Sequence, residues 1–185
     1  VPKITGGNLG SRKLKSPKGM NVRPTPGRVK ESLFSILQTR IAGSRFLDLY
    51  AGTGAIGFEA ASRGAERVVS VEGHRETAEA IKEAAAQFGV QDTVEVVAAP
   101  VDRALYRIDG PFDIVYADPP YADELPMQIF RLLLERNLLA PDALVIYEHS
   151  ARAILPDIPG YRGVREEVYG DVALAFFTPS GSSTG

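Results

Sequence analysis

Alternating strand and helix signals from Arg45 onward predict an α/β protein with a parallel sheet covered by helices on both faces. Three observations carry that expectation. Short apolar runs alternate with amphipathic stretches, a glycine-rich junction follows the first run, and two late runs meet at Gly170-Asp171. The late pair reads as an antiparallel hairpin, so the sheet should be mixed at that edge.

Each element has its own signal. Gly6-Gly7 and Gly10-Ser11, with Ile4, Leu9 and Leu14 between and around them, predict a short hairpin over residues 3–14 with basic outer positions. A Pro/Gly-punctuated loop over residues 16–25 ends in Arg23-Pro24-Thr25. Thr25 is the expected cap of a helix with Pro26 in its first position and Val29, Leu33, Phe34, Ile36 and Leu37 on its apolar face. Strands follow over 46–50, 67–72, 94–98, 112–117 and 143–147, and the closing hairpin over 161–169 and 172–178. Between them lie helices over 55–63, 76–88, 101–107 and 123–137, the second turned inward through Ala78, Ile81, Ala85 and Phe88. The expected organisation is a basic extension, residues 1–40, packed on a core of residues 41–178. The Gly/Ser-rich stretch 179–185 is an expected disordered tail.

Composition narrows the chemistry. A chain of 185 residues suffices for one buried core and is short for two. No cysteine occurs, which excludes disulfides, thiolate zinc sites, iron–sulfur clusters and a cysteine nucleophile, including the covalent route to base-carbon methylation. His74 and His149 are the two histidines, too few for a histidine-rich metal site, and no metal is expected. No apolar run approaches the ~20 residues that span a bilayer, and no secretory pattern opens the chain; a cytoplasmic protein is the expectation.

The net charge of −2 conceals an asymmetry. All eight charged side chains of residues 1–30 are basic, leaving 13 basic and 23 acidic residues in the remainder. A basic arm on an acidic body is the pattern of a polyanion-binding appendage, and Arg12, Lys13, Arg23 and Arg28 are its candidate nucleic-acid contacts.

Two constellations carry chemistry. Asp48-Leu49-Tyr50-Ala51-Gly52-Thr53-Gly54-Ala55-Ile56-Gly57 places G-x-G-x-x-G between a strand and a helix, with Glu72 closing the next strand 18 residues beyond Gly54. Such a loop approaches a ligand closely, and the acid accepts hydrogen bonds from ribose hydroxyls. An adenosine-containing cofactor follows, either a nicotinamide dinucleotide or S-adenosylmethionine. Asp48 sits poorly beside pyrophosphate and well beside a sulfonium cation, which favours S-adenosylmethionine. Asp48, Tyr50, Ala51, Gly52, Gly54, Glu72 and Gly73 are the candidate cofactor residues, with Thr25 a candidate at the methionine end.

The second constellation is Asp118-Pro119-Pro120-Tyr121 at the end of the fourth strand. Proline lacks an N–H, so the Asp carboxylate and prolyl carbonyls present acceptors beside an aromatic ring. That shelf suits a planar base with an exocyclic amine and has an obvious role in methyl transfer. It does not choose between guanine and adenine.

These motifs resemble the RsmD-type 16S rRNA guanine-N2 methyltransferases, a family of class I S-adenosylmethionine-dependent enzymes. The resemblance runs from about residue 4 to residue 177. It includes Gly6-Gly7, Arg23-Pro24-Thr25 with Arg28-Val29, Glu31, Leu33-Phe34, the glycine loop with Glu59-Ala60, and Ser62-Arg63-Gly64-Ala65. It continues with Val71-Glu72, the Asp118 shelf, Glu148-His149-Ser150 and Tyr169-Gly170-Asp171. The resemblance implies a Rossmann-like, seven-stranded sheet with the last strand antiparallel, and cofactor and base meeting at the strands' carboxyl ends. It implies S-adenosylmethionine as cofactor and guanine in 16S rRNA as target, presented on a 30S assembly intermediate. Asp118, Pro119, Pro120 and Tyr121 become the implied catalytic group. Two departures stand out: Gly27 replaces an acid, and Ala98-Ala99-Pro100 replaces an Asp or Asn near the adenine, leaving adenine recognition to backbone and apolar contact from Val101. Glu148 is expected to stand behind the site, His74 beside the adenosine pocket, and His149 in a structural role. The competing readings are a DNA adenine-N6 methyltransferase and an RNA-binding assembly factor without turnover.

Overall fold

The computed structural model describes residues 2–16, 25–120 and 124–181. Its centre is a seven-stranded sheet in the order β3-β2-β1-β4-β5-β7-β6. The strands are β1 (Arg45–Leu49), β2 (Arg67–Glu72), β3 (Val94–Ala98), β4 (Phe112–Ala117), β5 (Leu139–Ser150), β6 (Tyr161–Tyr169) and β7 (Val172–Pro179). Pairing is parallel from β3 through β5, and β7 runs antiparallel to both β5 and β6. The expected mixed edge is therefore present, with its turn at Gly170-Asp171.

Five helices cover the sheet among the described residues: α1 (Gly27–Ile36), α2 (Ala55–Ser62), α3 (Arg75–Gln87), α4 (Val101–Ala104) and α5 (Met127–Glu135). Strand residues alternate between two buried clusters because side chains point to opposite faces at period two. Phe46, Val68, Ile114, Ile146 and Phe176 meet Leu33, Phe34, Phe58 and Ile81 from α1, α2 and α3. Leu47, Val69, Val115, Val145 and Phe177 meet Ala104, Ile129, Phe130 and Leu133 from α4 and α5. Each fully buried aliphatic or aromatic side chain contributes about 1.5–3 kcal/mol. Phe130 packs edge-on to Tyr147, Tyr161 and Phe177 at centroid distances of 6.2, 5.2 and 5.6 Å, which fastens α5 over β5–β7.

Several boundaries differ from expectation. Residues 3–14 pair through a single antiparallel bridge, Lys3 to Lys13, around a one-turn 3-10 helix (Gly7–Leu9). Thr25 does not cap α1: Pro26 holds that position and no side chain caps the helix. The Thr25 hydroxyl instead donates to Glu148 Oε2 at 3.3 Å. α4 spans one turn, α5 starts at Met127 after Pro126, and β5 starts at Leu139, earlier than expected. Arg23, Pro24, Tyr121 and residues 182–185 of the tail lie outside the described residues.

The segment before α1 docks on α2. Glu59, fully buried, accepts from Thr5 N at 3.0 Å and from the Thr5 hydroxyl. Ser62 accepts from Leu9 N at 2.8 Å and donates to the Gly6 carbonyl. Ile4, Leu9 and Leu14 are buried in the same cluster as Phe34 and Phe58. Basic residues thus ride on a segment whose apolar residues belong to the core.

Candidate active site

The parallel strands end together, and loops leaving them open a cleft of about 1490 Å³. β1 delivers Asp48, 1% exposed, whose Oδ2 accepts from Gly57 N at 3.2 Å. Burial pushes its carboxyl up to about 8, and the nearby Glu72 charge adds to that rise against the opposing Gly57 hydrogen bond. Tyr50 then takes a positive φ of 59°, reversing the chain into the glycine loop.

The loop's geometry follows from its glycines. Gly54 caps α2 in the left-handed region, φ 80°. Gly57 lies so near β2 that a Cβ would stand 2.7 Å from Ser70 Oγ and 3.0 Å from a Val68 methyl. That approach seats the start of α2 against the sheet. Glu72 fixes the loop from the next strand: Gly52 N donates to its Oε2 at 2.7 Å and His74 N to its Oε1 at 3.0 Å. Each carboxylate oxygen retains further acceptor capacity for a hydroxyl. Gly73, Pro100 and Val101 form an adjoining wall, with Val101 5% exposed.

β4 delivers the shelf. Asp118 is half-buried, Pro119 buried and Pro120 exposed, and all three line the cleft. Behind them Tyr116, 2% exposed, donates its hydroxyl to Glu148 Oε2 at 2.5 Å. Burial raises the Tyr116 phenol well above its ordinary range, and the Glu148 and Asp118 charges raise it further. Tyr116 therefore remains a neutral donor. Because Thr25 donates to the same Glu148 oxygen, the chain leading into α1 is tied to the ends of β4 and β5.

The predicted residues separate into groups. Asp48, Tyr50, Ala51, Gly52, Glu72, Gly73, Val101, Thr25, Asp118, Pro119 and Pro120 line one cleft. Gly54 shapes the loop from beneath. Arg28 is exposed, its guanidinium 3.0 Å from where a Gly170 Cβ would stand, beside the cleft's Asp171. Arg12 stands 5.5 Å over the Phe88 ring after α3, and the exposed Lys13 bridges Lys3. None of Arg12, Lys13 and Arg28 is among the residues that line the cleft.

Sequence reasoning missed three features. Lys30, 5% exposed, donates its amine to the Lys3 carbonyl, and burial lowers its pKa from the ordinary value. His74 caps α3, accepting from Thr77 N at 3.4 Å. The Tyr116–Glu148–Thr25 bonds joined residues too distant in sequence for local pattern to show.

Chemically, one end of the cleft combines hydroxyl-accepting carboxylate oxygens at Glu72 with an apolar wall at Val101, a pairing that suits a nucleoside. The Glu72 carboxylate beside the glycine loop suits a cationic ligand and opposes pyrophosphate, while the enclosed Asp48 carboxyl, pushed up to about 8, adds little charge. The other end presents acceptors at Asp118 and the prolyl carbonyls. Among the described residues no group of three acidic or histidine side chains is placed to hold a metal, and no helix is long and apolar enough to cross a membrane.

Sheet order, antiparallel last strand, glycine loop and strand-end shelf together define a class I methyltransferase fold. The family model described as conserved hypothetical protein 95 matches residues 2–178, and the chain belongs to that family, the RsmD-type methyltransferases. It is 33% identical over 176 residues to ribosomal RNA small subunit methyltransferase D of Escherichia coli K12, covering 95% of this chain and 88% of the relative. The protein of the same name from Haemophilus influenzae is 34% identical over 178 residues, covering 95% and 92%. Among solved structures, the yhhF protein of Escherichia coli superposes with a TM-score of 0.87 at 30% identity, covering 97% of this chain and 98% of that one.

Proposed function

We propose that this chain transfers a methyl group from S-adenosylmethionine to the exocyclic N2 amine of a guanine in small-subunit rRNA. The observation that carries this reading is the shared cleft: the Asp118-Pro119-Pro120 shelf faces the same space as the glycine loop and Glu72. Relatives named as small-subunit rRNA methyltransferases supply the substrate class. The cytoplasm, where rRNA is assembled, is the proposed compartment, and a 30S assembly intermediate the proposed partner.

When bound, the cofactor supplies an electrophilic methyl group on a sulfonium. Glu72 holds the ribose hydroxyls and Val101 packs against the adenine. Asp118 and the Pro119 carbonyl accept the two amine hydrogens of the base, which turns the nitrogen lone pair toward the methyl carbon. With the cofactor bound, the Asp118 carboxylate would stabilise the positive charge that grows on the amine as it takes up the methyl group and the thioether leaves. Asp118 then takes one of the amine protons or passes it to water. Tyr121, next in the chain, stacks on the extruded base. Tyr116 and Glu148 hold the shelf from behind.

Methyl transfer from labelled cofactor to 30S particles lacking the modification, to naked rRNA and to duplex DNA tests this reading. Digestion to nucleosides should yield N2-methylguanosine from the particles or rRNA. Label found solely as N6-methyladenine in DNA would overturn it.

A further inference from the structure

We propose that His149 reads the target base, its Nε2 accepting the hydrogen bond of guanine's ring N1–H. The proposal rests on the guanine-N2 reading and assigns the selectivity that the shelf itself lacks.

The observations begin with placement. The β4–β5 register ends on the pair Ala117 and Tyr147, each two residues ahead of Pro119 and His149 respectively, and both of those residues line the cleft. His149 is 5% exposed, yet it belongs to the cleft wall. Its ring stacks on Tyr147 at 5.3 Å with an interplanar angle of 18°, which fixes the imidazole plane. Its Nδ1 lies 2.8 Å from the Ser150 carbonyl oxygen. A carbonyl only accepts, so the proton of this bond sits on Nδ1, and Nε2 of the neutral ring is a bare acceptor. That nitrogen is buried and has no hydrogen-bond partner among the described residues. Buried polar atoms without partners are few, and one in a cleft wall calls for a ligand donor.

Guanine supplies such a donor at the right place on its edge. With both N2 hydrogens on the shelf, the adjacent N1–H extends along the same edge toward the strand beside Pro119. Adenine and 2-aminopurine carry a lone pair at N1 instead, which would face the Nε2 lone pair. One ring nitrogen thus accepts guanine and rejects both analogues.

The experiment uses small-subunit particles reconstituted with guanine or 2-aminopurine at the methylated position; 2-aminopurine keeps the amine and lacks N1–H. The wild type should favour guanine. His149→Ala should lower kcat/KM for guanine about tenfold more than for 2-aminopurine, the scale of one lost hydrogen bond in a closed site. His149→Gln, whose amide oxygen reaches the place of Nε2, should recover part of the guanine rate. Equal losses on the two bases, or a glutamine variant no better than alanine, would reduce His149 to scaffold while leaving the guanine reading intact. A wild type that methylates neither base would overturn both readings.

Discussion

At the residue scale, two acids that end neighbouring strands have opposite duties. Asp118 is half-buried at the shelf and is expected to act on the substrate. Asp118→Ala should reduce turnover about a hundredfold or more, the scale of losing one preorganised electrostatic group, while calorimetry finds cofactor affinity nearly unchanged. Full activity in that variant would remove the assigned role. Asp48 is enclosed, and its carboxyl is pushed from 3.8 up to about 8. Between those values the folded chain retains a proton that the unfolded chain has released. Stability therefore falls as pH rises across that window, by at most about 1.4 kcal/mol per unit. Asp48→Asn should flatten that fall, as denaturant midpoints from pH about 5 to about 8 would read; an unchanged profile would place the titration elsewhere. Both acids were visible in the sequence because Asp48 interrupts an apolar run and Asp118 follows one. The unpartnered His149 nitrogen was not, since its meaning depends on a stacked ring, a carbonyl and a register across two strands.

At the element scale, the junction of α2 with the sheet governs the loop. Gly57→Ala would press a methyl group against Ser70 and Val68. It should cost about 1–3 kcal/mol in urea unfolding, as overpacking does, and weaken cofactor binding by tilting the loop. A variant with wild-type stability and affinity would show that α2 can shift freely. Elements with a clear period were legible: β2, β3 and β4 occupy their expected residues. Where expectation failed, tertiary partners decided. The fifth strand was expected over 143–147, yet Pro141 and Asp142 lie within β5 beside the irregular step in its ladder with β4. Thr25 looked like a cap, but its hydroxyl serves Glu148, 123 residues away.

At the scale of the whole molecule, the basic arm is divided by its docking on α2. α3 runs back from the carboxyl end of β2 to the amino end of β3, so Phe88, and Arg12 over it, lie at the end of the sheet away from the cleft. Arg28 lies at the cleft end, against the β6–β7 turn. The sequence showed a single run of charge; the fold assigns its members to opposite ends. Phosphates flanking a base in the cleft would therefore meet Arg28 and not Arg12. Each phosphate contact contributes about 0.7–0.9 to the slope of log binding constant against log salt. Arg28→Ala should reduce the salt slope of rRNA binding by about that amount, and Arg12→Ala should leave it unchanged while lowering stability through the lost Phe88 contact. Titrations of fluorescent rRNA fragments at several salt concentrations would measure both slopes. Equal reductions would mean that RNA wraps the full length of α2 and α3, and an unchanged slope for Arg28→Ala would remove the arm from the interface.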